Sequence, residues 1–114
     1  MGKLTTHILD TSSGTPAQDV EIKLYKRNDS SIDLIESAQT NGDGRCNQPL
    51  LSGDAFAEGC YEIEFLVDEY YSKKGIDCPF LKDVVIRFYI SNSDENYHVP
   101  LLISPYGYTT YRGS

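Results

Sequence analysis

The residues best suited to chemistry in this 114-residue chain are its two histidines, His7 and His98. Imidazole is the side chain whose unperturbed pKa lies near neutral pH, so two converging imidazoles can share general-base and general-acid work. Arg45 follows the turn Asn-Gly-Asp-Gly, and its guanidinium suits a carboxylate, an amide carbonyl or a developing oxyanion. Taken singly, each of the three is more often a solvated surface side chain. Chemistry therefore requires a fold that brings them together.

Other catalytic and metal-binding signatures are missing from the sequence. Two histidines do not complete a catalytic zinc site, and no H-x-x-x-H spacing occurs. Cys46, Cys60 and Cys78 show no paired C-x-x-C spacing, so no metal and no cofactor is predicted. The chain also lacks a G-x-S-x-G elbow and a P-loop. An odd number of cysteines without a secretory signal favours free thiols in a reducing, cytoplasmic compartment.

Length and charge limit the class of protein. A chain of 114 residues predicts one domain over residues 1–114. Such a domain buries about 60–70% of the surface of its unfolded chain. The net charge of −7 argues against a nucleic-acid partner and against docking on an anionic membrane surface. No apolar stretch approaches the length of a transmembrane helix, so a membrane partner is not expected.

Alternation of apolar and polar residues predicts an all-β fold. The predicted strands cover residues 4–10, 19–26, 32–40, 59–67 and 84–90, and a hairpin ends the chain. Residues 68–74 break the two-residue period, with acidic residues first, lysines last and Gly75 beyond, which predicts a short helix. Residues 46–58 show no clear period. Seven or eight short strands with one small helix indicate a β-sandwich.

The terminal hairpin carries His98. The stretch Ser-Pro-Tyr-Gly predicts a tight turn at residues 104–107, which places His98 opposite Gly113. Side chains alternate across a strand, so one face of the hairpin combines His98, Pro100, Leu102, Thr109 and Tyr111. The first strand alternates in the same way, and its more polar face holds Thr5, His7 and Leu9. A plain core face would not need an imidazole, so both faces are candidate site linings.

From Leu4 to Ser114 the chain resembles the transthyretin-like family. The motifs THILD, GDGR and YHVPLL and the ending YRGS are similar to those of its enzyme branch, the 5-hydroxyisourate hydrolases. The resemblance implies a transthyretin-like β-sandwich of two four-stranded sheets with one short helix. It also implies a homotetramer whose active sites lie at the dimer–dimer interface, around a channel lined by the faces that carry His7 and His98.

The family pattern implies roles for individual residues. Catalytic roles fall on His7, Arg45, His98 and Ser114, and substrate-binding roles on His7, Arg45, Tyr111, Arg112 and Gly113. One histidine would activate water while the other protonates the leaving nitrogen, and the residues leave open which does which. Many family members carry another histidine where this chain has Asn96. No loss of activity is expected from that difference.

The implied reaction opens the six-membered ring of 5-hydroxyisourate, the product of urate oxidation. Water attacks a ring amide carbonyl without metal or cofactor and gives 2-oxo-4-hydroxy-4-carboxy-5-ureidoimidazoline. A carrier that binds an aromatic ligand in the same channel is the alternative, and a structural module without a ligand is a third possibility. Transthyretin itself lacks the histidine–arginine–histidine set and the YRGS ending, which favours the enzyme.

Overall fold

The structure, a computed structural model, describes residues 1–113 and confirms an all-β sandwich. Its strands are β1 (Leu4–Asp10), β2 (Thr15–Pro16), β3 (Glu21–Arg27), β4 (Ile32–Gln39), β5 (Gly59–Phe65), β6 (Val84–Ile90), β7 (Tyr97–Ser104) and β8 (Gly107–Thr110). A 3₁₀ turn covers Gly53–Ala55, and the helix α1 covers Val67–Lys73. The strands form two four-stranded sheets, ordered β2-β1-β7-β8 and β4-β3-β5-β6. No helix within residues 1–113 has the length and apolar content that a membrane crossing requires.

Alternation along the strands produces the inner faces of the sandwich. In β1, Leu4 and Ile8 are completely buried, whereas the intervening Thr5 and His7 are half-buried. The core is filled from both sheets, by residues that include Ile22, Leu24, Ile63, Phe65, Leu101 and Ile103. Burial of each such side chain is worth about 1.5–3 kcal/mol, so these faces fix which way every strand is turned.

β1 and β7 form a parallel pair, although they lie at opposite ends of the sequence. In their register Thr5 lies beside His98, and His7 lies beside Pro100. A slip of either strand by one residue would turn its buried face outward and its histidine into the core. The requirement to bury Leu4 and Ile8 therefore holds both imidazoles on the outer face of this sheet.

A buried carboxylate joins the end of β1 to α1. Asp10 is completely buried and accepts hydrogen bonds from the hydroxyls of Tyr70 (2.9 Å) and Tyr71 (3.0 Å). The Ser12 hydroxyl and backbone N–H donate to the same carboxylate, at 2.6 and 3.0 Å. Burial raises the pKa of Asp10, but these donors outweigh it and leave the pKa below its ordinary value. Because α1 follows a strand of the second sheet, this cluster ties the two sheets together.

Apart from the short β2, which the strand pattern does not predict, the predicted elements agree closely with the observed ones. The helix is shifted by one residue, and β5 ends before the predicted limit because α1 already begins at Val67. The hairpin register is confirmed, with Ser104 opposite Gly107 and His98 opposite Gly113. β8 ends at Thr110, so the predicted alternation does not continue along the strand to Tyr111.

The substitution Asp10→Asn is expected to lower the free energy of unfolding at neutral pH by about 1–3 kcal/mol, because an amide N–H2 would face hydroxyl donors. The pKa of Asp10 is depressed in the folded state. Its contribution is therefore present above the unfolded-state pKa and is lost as pH falls through the folded-state pKa. Urea unfolding at a series of pH values should show the difference between wild type and variant shrinking toward acid pH. Asp29→Asn, in an exposed loop, is the control. Equal losses in the two variants would contradict this role for Asp10.

Candidate active site

Arg45 reaches the first sheet on a loop organised by Asn41. The Asn41 side-chain oxygen accepts the Arg45 backbone N–H (3.3 Å), and the Asn41 N–H donates to the Arg45 carbonyl (2.8 Å). The Gly44 carbonyl accepts the N–H of Ile8 (2.9 Å), and a β-bridge pairs His7 with Arg45. The loop therefore docks on the edge of β1, which explains how the turn motif and the first strand form one site.

Gly44 makes this docking possible. Its φ of +74° lies in the left-handed region that favours glycine. A Cβ at this position would also overlap the Ile8 carbonyl oxygen of β1. The glycine immediately before Arg45 is thus required by both the turn and the close backbone approach.

The same segment continues along β1 and forms the wall of a cavity. The Leu4 N–H donates to the Leu51 carbonyl (2.9 Å), and the Leu50 N–H donates to the Leu4 carbonyl (2.8 Å). Between these contacts and Arg45, the segment borders a cavity of about 480 Å³. Its lining includes Lys3, Thr5, Arg45, Cys46, Gln48 and His98.

Sequence reasoning did not single out Lys3 and Gln48. Gln48 lies in a stretch without periodicity, and Lys3 precedes the first strand, so only the docking of residues 44–51 on β1 reveals both as neighbours of Arg45. Within residues 1–113, no group of three or more His, Cys, Asp or Glu side chains is arranged to hold a metal ion.

His98 is in contact with residues on two sides of its ring. Its Nδ1 lies 2.8 Å from the Thr5 hydroxyl oxygen. Its carbonyl accepts the Gly113 N–H (2.7 Å), and a Cβ built on Gly113 would lie 3.0 Å from Cδ2 of the imidazole. The chain end thus packs closely against this ring. The His7 ring lies 6.5 Å from that of His98 between centroids, with an interplanar angle of 27°.

Both imidazoles are biased toward the neutral form. Burial and then the charge of Arg45 lower the pKa of His7, against the opposing influence of the backbone and carboxylate of Asp43. Burial, Arg45 and His7 lower the pKa of His98, and a hydrogen bond with the Thr5 backbone opposes them. The lowered pKa values favour the neutral ring at neutral pH, the state in which an imidazole can accept a proton.

The predicted residues at the chain end are divided between two places. Gly113 contacts His98, but Arg112 donates to the Glu95 carboxylate (3.2 Å) and the Asn96 carbonyl (3.1 Å). The Arg112 guanidinium also lies 4.3 Å above the centre of the Tyr97 ring. These contacts anchor the segment after β8 to the segment before β7.

Tyr111 lies with Arg112 along a second cavity, of about 460 Å³, which Tyr97 and Val99 also line. Tyr111 is 60% exposed there. Within the single chain, these two predicted substrate-binding residues are therefore separate from the cavity of Arg45 and His98. Ser114, predicted to be catalytic, lies outside the described residues.

The two imidazoles and the Arg45 guanidinium therefore lie together at one sheet of an all-β sandwich. A model of the HIUase/Transthyretin family matches residues 4–113. The chain belongs to this family.

Named relatives include hydrolases. The 5-hydroxyisourate hydrolase of Pseudomonas aeruginosa is 49% identical over 117 residues, which cover 100% of this chain and 93% of the relative. The structure of Klebsiella pneumoniae 5-hydroxyisourate hydrolase has a TM-score of 0.85 at 32% identity, with 100% of both chains covered.

Two further solved structures share the fold under other names. The structure of (S)-allantoin synthase has a TM-score of 0.93 at 43% identity, and the match covers 99% of this chain but only 44% of that longer one. Sea bream transthyretin in complex with thyroxine has a TM-score of 0.90 at 29% identity, covering 97% of this chain and 94% of that one. The fold alone therefore does not separate a hydrolase from a protein that binds thyroxine.

The substitution Gly44→Ala is expected to lower the free energy of unfolding by about 1–3 kcal/mol, since alanine is strained at this φ and its Cβ meets β1. Gly42→Ala is the matched control, because its Cβ would have no atom within 4 Å. Urea unfolding of both variants checks the difference. If Gly44→Ala is as stable as Gly42→Ala, the loop does not depend on the close approach to Ile8.

Proposed function

We propose that this protein is a 5-hydroxyisourate hydrolase, which opens the six-membered ring of its substrate in urate catabolism. The observation that carries the proposal is the meeting of His7, Arg45 and His98 on one sheet of a chain 49% identical to a relative of that name. A carrier needs a channel, but it does not need two neutral imidazoles beside a guanidinium.

The proposed reaction is hydrolysis of a cyclic amide without a metal ion. A neutral imidazole takes a proton from water, and the resulting hydroxide adds to the ring carbonyl. Arg45 stabilises the oxyanion that forms, and one donor of this kind is typically worth about 3 kcal/mol. The carbonyl carbon–nitrogen bond then breaks, the nitrogen takes a proton from an imidazolium, and the product carries a new carboxylate.

The charge of the cavity fits such a product. Lys3 and Arg45 both line it, although the chain as a whole carries a net charge of −7. Two cations in the cavity would stabilise the negative charge of the developing oxyanion and that of the product carboxylate. In this proposal Lys3 acts through its charge, and Arg45 contacts the reacting carbonyl.

The proposed assembly is a homotetramer with active sites between dimers. Leu9 and Leu102 lie on the same outer face as the histidines and are half-buried in the single chain, so a partner subunit would cover them further. Tyr111 and Arg112 lie apart from Arg45 within one subunit, so their proposed contacts with substrate depend on this assembly. Ser114 is proposed to orient a histidine or the attacking water.

The proposed location is the cytoplasm. Cys46, Cys60 and Cys78 are all free thiols in residues 1–113, and none of them is joined in a disulfide there. Free cysteines are typical of reducing compartments.

The substitutions His98→Ala and Arg45→Ala are each expected to slow the hydrolysis of 5-hydroxyisourate by about 100-fold or more, because they remove an acid–base group and an oxyanion donor. The measurement is the ultraviolet decay of freshly generated substrate. Asp29→Ala, in an exposed loop, serves as the control and should match wild type. Decay at the wild-type rate in both site variants would overturn the assigned roles.

Calorimetry with thyroxine separates the carrier alternative from the enzyme. Tight thyroxine binding together with no hydrolysis of 5-hydroxyisourate would favour the carrier. Catalysed hydrolysis without thyroxine binding is the expected result.

The imidazole pKa values of both histidines are expected to lie below about 6.5, the ordinary value. The activity should accordingly persist to mildly acid pH and fall only as the base becomes protonated. Arg45→Gln should raise both pKa values, because it removes a positive charge that disfavours imidazolium. Arg45→Lys keeps the charge and should leave them low. Titration of the two imidazoles by NMR measures these shifts, and unchanged values in Arg45→Gln would contradict the proposed electrostatics.

A further inference from the structure

We infer that Thr5 is a positioning residue for His98, whose hydroxyl holds Nδ1 so that the ring presents an unprotonated Nε2 to the cavity. The kinetic consequence of this inference rests on the proposed hydrolase function. The orientation of the ring does not depend on that function and can be tested without substrate.

The strand register brings the two side chains together. Thr5 of β1 and His98 of β7 are direct neighbours in the parallel pair, and both point to the outer face of the sheet. The Thr5 hydroxyl oxygen lies 2.8 Å from Nδ1. A β-branched side chain has few accessible rotamers, so the hydroxyl is a stiff support and not a mobile one.

The remaining contacts of the imidazole identify its open edge. Gly113 lies against Cδ2 and Cβ of His98, where an added Cβ would come within 3.0 and 3.2 Å. With Nδ1 facing Thr5 and Cδ2 facing Gly113, the remaining edge of the ring consists of Cε1 and Nε2, and no side chain of residues 1–113 is hydrogen-bonded to it. A ring turned by 180° would place a carbon against the Thr5 hydroxyl and lose that hydrogen bond. Thr5 is therefore the residue that selects the orientation.

The tautomer of His98 is part of this inference. A threonine hydroxyl can donate to Nδ1 or accept from it, so the 2.8 Å contact allows both tautomers. The Thr5 backbone favours the protonated ring, and a backbone carbonyl can only accept, so Nδ1 is assigned as the donor. With Nδ1–H donating to Thr5, the lone pair of neutral His98 lies on Nε2. When Nε2 takes a proton from water, the Nδ1–H bond to Thr5 persists and the ring need not turn. This arrangement assigns the activation of water to His98.

Three variants test the kinetic part. Thr5→Val keeps the shape of the side chain but removes the hydroxyl, and it should lower kcat by about 10–100-fold, with KM little changed, because the base is misaligned. Thr5→Ser restores the hydroxyl and should recover most of the rate. Thr11→Val is the matched control, because the Thr11 hydroxyl also bonds β7, at the Ile103 carbonyl (2.9 Å), but at the other end of the strand pair.

The pH profile separates positioning from a loss of stability. In Thr5→Val the imidazolium loses an acceptor, so the pKa of His98 should fall and the acid limb of kcat/KM should move to lower pH. Thr11→Val should leave the profile unchanged. A wild-type kcat in Thr5→Val, or a Thr5→Ser variant as slow as Thr5→Val, would overturn the inference.

Nitrogen-15 NMR of the wild-type protein tests the orientation directly, without substrate or variants. At a pH above the imidazole pKa, His98 should show a protonated Nδ1 and an unprotonated Nε2. The opposite tautomer would overturn the inference even if every variant failed to fold. If the expected tautomer is found but 5-hydroxyisourate is not hydrolysed, the proposed function fails while the role of Thr5 in orienting the ring stands.

Discussion

The parallel pairing of β1 with β7 is the contact on which the candidate site depends. It joins residues from the two ends of the chain and places Thr5 beside His98 in a single register. The inner faces of the same two strands hold completely buried residues such as Ile8 and Leu101. Because side chains alternate, burying the inner faces of these two strands also places both imidazoles on the outer face of the sheet. A change of register would cost the core and the site together.

The edge of β1 has a second use, as the docking surface for the loop that carries Arg45. The backbone of Ile8 bonds Gly44, and the backbone of Leu4 bonds residues 50 and 51. These contacts satisfy strand groups that would otherwise lack partners, and they bring a guanidinium beside two imidazoles. The electrostatic result is favourable for acid–base chemistry, since burial and then the charge of Arg45 lower the pKa of both imidazoles and favour the neutral form that acts as a base. The same backbone hydrogen bonds therefore complete the pairing of β1 and bring Arg45 to the two histidines.

Much of this arrangement could be predicted from the sequence, but not all of it. The strands, the short helix and the hairpin register follow from local periodicity and turn residues, and the outward faces of His7 and His98 follow from parity. The pairing of β1 with β7 is non-local, and the alternation of residues within a strand does not predict which strand lies beside it. The contact between Thr5 and His98 depends on that pairing, so it became visible only in the structure.

The last residues of the chain do not follow the alternation of a strand. Side chains alternate between faces only while the backbone is extended, and β8 ends at Thr110, one residue before Tyr111. Beyond that point, Arg112 is directed by its ion pair with Glu95 and its contact with Tyr97. A long side chain with such partners is placed by specific contacts that a two-residue period does not encode. Gly113 lies against His98 because its backbone N–H donates to the His98 carbonyl, and because glycine has no Cβ that would crowd the imidazole ring.

The most direct test of the account is a crystal structure with a purine analogue that the protein cannot hydrolyse. A ring carbonyl of the analogue is expected to lie against the Arg45 guanidinium, with Nε2 of His98 within hydrogen-bond distance of the analogue or of a water held against that carbonyl. An analogue bound in the cavity of Tyr111 and Arg112, with no contact to Arg45 or His98, would contradict it.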